Sequence, residues 1–260
     1  MSDMLEKIKS YRIIDSHGHM GPYKMFYVTP GQNAASMVRV MDLCGIERVC
    51  VSHHASLEVD PAYGNTIVGK AIRESNGRVM GYACINPYHQ EQIIPELERC
   101  FDKLGFSAIK FHSSLIDSPA DTWRYDLVYQ FANERRITIM AHNFPENAVM
   151  AKICEKYPDA FFVQAHYGIN WDGINVPACF ELVKQAPNFF VDSAGSQVNK
   201  GILEKTVELV GAENVLFGTD FTFFDPRPQV GNHVYSKIPE ESKRLILREN
   251  FMRLMSFRRI

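Results

Sequence analysis

The chain has 260 residues, 28 of them basic and 30 acidic; the net charge of −2 gives no basic surface for nucleic acid or an anionic membrane to select. A hydrophobic fraction of 46% is that of an ordinary globular core, and no apolar run approaches the roughly 18 residues of a membrane span. The N-terminal stretch is charged and has no apolar signal-peptide core, and six scattered cysteines include no Cys-x-x-Cys pair, so a reducing compartment, the cytoplasm, is the expected location.

The first predicted strand is the apolar pair Ile13-Ile14 inside Arg12-Ile13-Ile14-Asp15-Ser16-His17-Gly18-His19. Side chains alternate along a strand, so His17 and His19 project from one face, and Gly18 lets a ligand or another backbone come close. Taken alone, the pair fits a divalent-metal site no better than a surface turn or core histidines bonded to carbonyls. A helix over 34–43, closed by Gly45, leads to a strand over 48–52 that ends in His53-His54. A helix over 66–74 stops at Gly77, and a strand over 79–85 ends at Asn86-Pro87. A helix over 91–104, ended by Gly105, precedes a strand over 106–112 that carries Lys110 and His112. The rhythm continues with a helix over 125–134, a strand over 137–142 ending in His142, and a helix over 148–156 stopped by Pro158. A strand over 161–166 ends in His166, a helix contains 180–185, and a strand over 189–193 carries Asp192. A helix over 202–210, closed by Gly211, leads to a strand over 215–220 ending in Asp220, and a helix over 240–255 finishes the pattern.

Strict alternation of strand and helix predicts a parallel sheet with helical crossovers. Eight such units in roughly 250 residues predict an α/β fold, a TIM (β/α)8 barrel, as one domain over 1–260 with no linker. The rival is a doubly wound open sheet, but no glycine-rich fingerprint follows the first strand, and the strand count favours the barrel. His17, His19, His142, His166 and Asp220 all close predicted strands, and in a barrel those ends converge on one mouth. Several imidazoles in register with a carboxylate are hard to explain as core packing, because unpaired polar groups in an apolar interior are costly. They suit Zn²⁺, Mn²⁺ or Fe²⁺ with a position left for water.

These segments resemble the amidohydrolase superfamily, in the branch that holds metal-dependent hydrolases and decarboxylases of the aminocarboxymuconate-semialdehyde type. The resemblance is carried by Ile14-Asp15-Ser16-His17-Gly18-His19, Gly105-Phe106-Ser107-Ala108-Ile109-Lys110-Phe111-His112 and Ala141-His142. It continues in Gln164-Ala165-His166-Tyr167-Gly168, Leu216-Phe217-Gly218-Thr219-Asp220-Phe221 and the ending Glu249-Asn250-Phe251-Met252-Arg253-Leu254-Met255. It implies that His17, His19 and His142 are metal ligands and that Asp220 is a fourth ligand or the proton-transfer carboxylate. His166 then orients a water or serves a second metal. The implied cofactor is one divalent ion, zinc ahead of manganese, and one ion ahead of two.

Lys110 shares a strand face with His112 by alternation. It is read as a substrate-carboxylate partner or a structural lysine ahead of a carboxylated bridge between two metals. His112, His54, Asn86 and Arg227 are candidate substrate contacts. Asp192 is either a partner behind the ligands or a strand-end cap. The segment 221–228 is read as a loop whose phenylalanines either wall a pocket or pack under the last helix. The expected function is hydrolysis of a small amide, lactone or ester by a metal-activated water. The alternative is non-oxidative decarboxylation of a small unsaturated or aromatic acid, and the least favoured reading is a non-catalytic metal- or ligand-binding barrel. The expected partner is a small-molecule substrate, with neither nucleic acid nor membrane, and a homo-oligomer is left open.

Overall fold

A computed structural model describes residues 2–23, 33–168, 176–195 and 201–258. Its elements run α1 (Ser2–Ser10), β1 (Ile13–Met20), α2 (Ala34–Cys44), β2 (Ile46–His53), α3 (His54–Glu58), α4 (Pro61–Glu74) and β3 (Val79–Ala83). They continue with α5 (Gln90–Glu98), β4 (Ala108–Phe111), α6 (Ser113–Ile116), α7 (Asp126–Arg135), β5 (Thr138–Ala141), α8 (Asn147–Lys156) and β6 (Phe161–Gln164). The last are α9 (Cys179–Gln185), β7 (Phe189–Asp192), α10 (Ile202–Val210), β8 (Val215–Leu216), α11 (Pro226–Val234), α12 (Glu240–Arg244) and α13 (Asn250–Ser256).

The eight strands form one parallel sheet in the order β1 to β8. The ring is closed by the segment after β8, which leaves β7 and bonds to β1. Ser16 N donates to Phe217 O at 2.8 Å, Asp220 N donates to His17 O at 2.8 Å, and His19 N donates to Phe221 O. This is why β8 is shorter than the predicted strand over 215–220: its second half pairs with the first strand instead of the seventh. The architecture is the expected TIM barrel.

Alternation sorts each strand into an outward side under the helices and an inward side. Ile14, Cys50, Tyr82, Ala108, Met140, Val163, Phe190 and Leu216, one from each strand, make the apolar floor of the barrel, and Phe251 and Leu254 of α13 pack onto it. Two residues further along, the inward positions become polar: Ser52 on β2, Lys110 on β4, Asp192 on β7 and, just past β5, His142. On β1 the register shifts between Asp15 and Gly18, which brings His17, three residues after Ile14, onto the inward side. Gly18 faces out, where a Cβ would stand 2.7 Å from Val49 Cγ2 and 2.9 Å from Phe221 O. Only glycine lets the two closing strands approach so nearly.

Three stretches depart from the sequence reading for local reasons. The segment read as a loop over 221–228 turns into α11 at Pro226, because Asp225 caps it by accepting from Arg227 N and Pro226 takes the first helical position. α4 starts at Pro61, ahead of Thr66, with Asp60 accepting from Tyr63 N. The predicted helix over 240–255 is α12 and α13 joined by a wider π turn over Leu245–Glu249.

Candidate metal centre

His17 and His19 lie side by side at the C-terminal half of β1, with ring centroids 5.4 Å apart. Asp220 comes to them from the segment after β8, held by the barrel-closing bonds and by a left-handed backbone at φ 62°. Its Oδ1 is 3.1 Å from His19 Nε2 and 3.6 Å from His17 Nε2. That oxygen is buried and, among the described residues, has no aligned hydrogen-bond donor. Three buried lone-pair atoms thus converge on one point (His17, His19, Asp220). A carboxylate oxygen deprived of both water and donors is costly, and a divalent cation removes that cost. The donor set fits such an ion.

Behind these donors stand two wholly buried carboxylates. Asp192 Oδ2 lies 2.7 Å from His17 Nδ1, while its Oδ1 accepts from His166 N at 2.8 Å and Ala194 N at 3.0 Å. Asp15 Oδ1 accepts from His17 N at 3.0 Å and Thr219 N at 3.1 Å, and its Oδ2 accepts from the Thr219 hydroxyl. One carboxylate therefore fixes the His17 ring, and the other ties β1 to the strand that delivers Asp220.

Lys110 is buried on β4, and its Nζ donates to His17 Nε2 at 2.6 Å. Burial pulls its pKa down to about 8, opposed by Asp192 and Asp220, so the ammonium persists at neutral pH. His17 is held neutral, its pKa lowered to about 3 by burial and by Lys110. Burial likewise lowers His19. For Asp192, burial alone would raise the pKa, but His17 brings it to about 2. For Asp220 the same contest between burial and the neighbouring His19 and His17 ends well below the usual carboxylate range. Asp15 goes the other way, raised by burial to about 7 in spite of its hydrogen bonds.

His142, at the end of β5, stands across the barrel, its ring 4.9 Å from that of His166 and stacked on His112 at 4.3 Å. Gln164 braces this turn: its Nε2 donates to His142 O at 2.8 Å and its Oε1 accepts from Phe144 N at 3.1 Å. His166 follows β6 with a left-handed backbone at φ 57°, its Nδ1 3.1 Å from Ala194 O and its ring 4.9 Å from that of His17. His54, the first residue of α3, stacks on His19 at 5.2 Å and on Phe223 at 4.8 Å, and Tyr23 lies 4.7 Å from it. His19, His54 and Phe223 thus form a three-ring cluster with planes within 29° of one another.

Two further candidate substrate contacts have local partners. Arg227 is 74% exposed on α11 and bonded to Asp225. Asn86 accepts from Tyr88 N at 3.0 Å, which makes it a turn-former after β3. Sequence reasoning passed over the roles of Asp15 and Gln164. Asp15 carried one usable signal, a charged residue in the middle of an apolar strand.

A parallel eight-stranded barrel whose mouth gathers histidines and carboxylates is the frame of a metal-dependent enzyme. The chain belongs to the amidohydrolase family, whose sequence profile matches residues 14–257. No curated protein matches it in sequence. Among solved structures it is similar to a dihydroxybenzoic acid decarboxylase from Polaromonas sp. with bound manganese and the inhibitor 2-nitroresorcinol (TM-score 0.73, 16% identity, 95% of this chain and 98% of that one). It is also similar to a 5-carboxyvanillate decarboxylase from Sphingomonas paucimobilis (TM-score 0.72, 13% identity, 95% and 99%). A third similar structure is an amidohydrolase II (TM-score 0.73, 17% identity, 94% and 99%). No described helix is long and apolar enough to cross a membrane.

Proposed function

We propose that the chain is a hydrolase of a small amide, lactone or ester, acting with one divalent ion held by His17, His19 and Asp220, with His142 joining them from β5. The observation that carries this reading is Asp220 Oδ1, buried beside both Nε2 atoms with no donor among the described residues aligned to it. Bound there, the ion would supply Lewis acidity, polarising a carbonyl and making a water more acidic. Zinc suits two imidazoles and a carboxylate; manganese is supported by the ion in the Polaromonas structure. Asp220, ionised at neutral pH, is a proton acceptor and takes the proton of the attacking water. His166 orients that water through its Nε2, since its Nδ1 faces Ala194 O. Lys110 keeps its ammonium and meets an anionic group of the substrate, and His54 and His112 wall the pocket.

A decarboxylase is the second reading, favoured by the cluster of aromatic rings next to His19 and by the buried Lys110 ammonium at His17, which together suit a planar carboxylic acid. The names of the decarboxylase structures above support it as well. That reaction needs an acid to protonate carbon; with Asp220 held ionised, the Lys110 ammonium is the group that would supply the proton. The deciding experiment loads the protein with zinc or manganese and offers lactones, amides, esters and hydroxybenzoates. Oxygen-18 from solvent in the product, without carbon dioxide release, is the expected result. Carbon dioxide release from a hydroxybenzoate with no hydrolysis of the others would replace the first reading with the second.

A further inference from the structure

We propose that Asp192 is a positioning residue that selects the tautomer of His17, and through it the lone pair His17 offers to a metal, while seating His166 with its other oxygen. The inference rests on the metal-centre reading above and deepens it. Asp192 is wholly buried at the end of β7, and each of its oxygens is committed to a different task. Oδ2 lies 2.7 Å from His17 Nδ1. Oδ1 accepts from His166 N at 2.8 Å and from Ala194 N at 3.0 Å, and Ala194 O in turn lies 3.1 Å from His166 Nδ1.

The second nitrogen of His17 gives an independent check. Lys110 Nζ lies 2.6 Å from His17 Nε2, and an ammonium can only donate, so Nε2 must be the acceptor. A neutral imidazole carries one N–H, which therefore sits on Nδ1 and points at the Asp192 carboxylate. Both contacts demand the same tautomer; its Nε2 lone pair lies 3.6 Å from Asp220 Oδ1 and becomes available to an ion when the Lys110 ammonium, which now donates to it, swings away. A carboxylate behind a ligating histidine fixes ring orientation and raises ligand basicity. His17, His166 and Asp192 also place ligand atoms close enough together for a metal. That alternative would spend Oδ2 or the Nδ1 lone pair on the ion and break the bond that orients His17, so Asp192 is assigned behind the ligands and not among them.

Asp192→Asn separates the two tasks. The amide keeps an oxygen for the His166 and Ala194 N–H groups but turns an NH2 toward His17 Nδ1. That NH2 donates, Nδ1 becomes the acceptor, and the ring proton moves to Nε2, where it blocks ligation. Two measurements test this. In the metal-free wild-type protein, ¹⁵N imidazole spectra, with His17 assigned from the signals lost in His17→Gln, are expected to show a protonated Nδ1 and a bare Nε2, and Asp192→Asn is expected to reverse them. Chelator competition with zinc or manganese alone is expected to show affinity falling about 10- to 100-fold in Asp192→Asn, with thermal unfolding of the metal-free variant close to wild type. A wild-type His17 protonated on Nε2, or a folded Asp192→Asn that binds metal as tightly as wild type, would overturn the assignment. If the variant does not fold, the wild-type spectrum decides. A wild-type protein that takes up no metal would refute the metal centre itself, and the spectrum would still decide the tautomer.

Discussion

Asp220 carries two proposed roles in one side chain: its Oδ1 lies beside His17 and His19, and its carboxylate is the proposed base. Asp220→Asn keeps its shape and removes its ability to accept a proton, so turnover should fall about 10²- to 10⁴-fold in a folded protein. Near-normal turnover at full metal occupancy would remove Asp220 from that role. Lys110 is separable from the ligands: Lys110→Met should leave metal content near one per chain and raise KM for anionic substrates while leaving neutral ones little changed. Loss of the metal with the lysine would instead make Lys110 part of the metal site. The placement of Lys110 and His142 was legible in the sequence because strand alternation carries an inward position from the apolar floor to the polar mouth; His17 and His19 stood out as a His-Gly-His pair at a strand end, although a register shift and not alternation turns His17 inward. The bond between Asp15 and Thr219 joins residues 204 apart, and no local pattern announces a partner at that distance. Arg227 is paired with Asp225, two residues earlier, a local contact that a strand-end pattern does not announce.

At the level of elements, the barrel depends on how β1 meets the segment after β8. A methyl group at Gly18 would press on Val49 and on Phe221 O, which is backbone and cannot swing aside. Gly18→Ala should therefore cost about 1–3 kcal/mol of stability and weaken metal binding together, since the same strand carries both histidines. Urea unfolding of the metal-free protein tests the first part, and an unchanged midpoint would show that the closure has slack. The order and kind of elements were readable from hydrophobic period and glycine stops. The end of β8 was not, because the apolar run Val215-Leu216-Phe217 gives no sign that its pairing passes from β7 to β1. α11 was missed for a different reason: two prolines near its start read as loop, whereas an Asp cap makes the first of them a helix starter.

For the whole molecule, pH acts on the packing as well as on the mouth. His233 of α11 is buried edge-on against Phe217, its Nδ1 2.8 Å from Gln229 O, and burial lowers its pKa to about 4 from 6.5. Between those values the unfolded chain takes up a proton that the folded one refuses, so stability falls as pH drops from 6.5 toward 4, by about 1.4 kcal/mol per unit. His233→Phe should remove this slope, gaining on wild type at pH 5.5 relative to pH 7.5. An equal difference at both pH values would contradict it. A single ion at the barrel mouth is the central proposal, and anomalous scattering from crystals grown with manganese tests it most directly. One strong peak is expected within bonding distance of His17 Nε2, His19 Nε2 and Asp220 Oδ1. No peak there, or two full peaks about 3.5–4 Å apart bridged by density on Lys110, would contradict it.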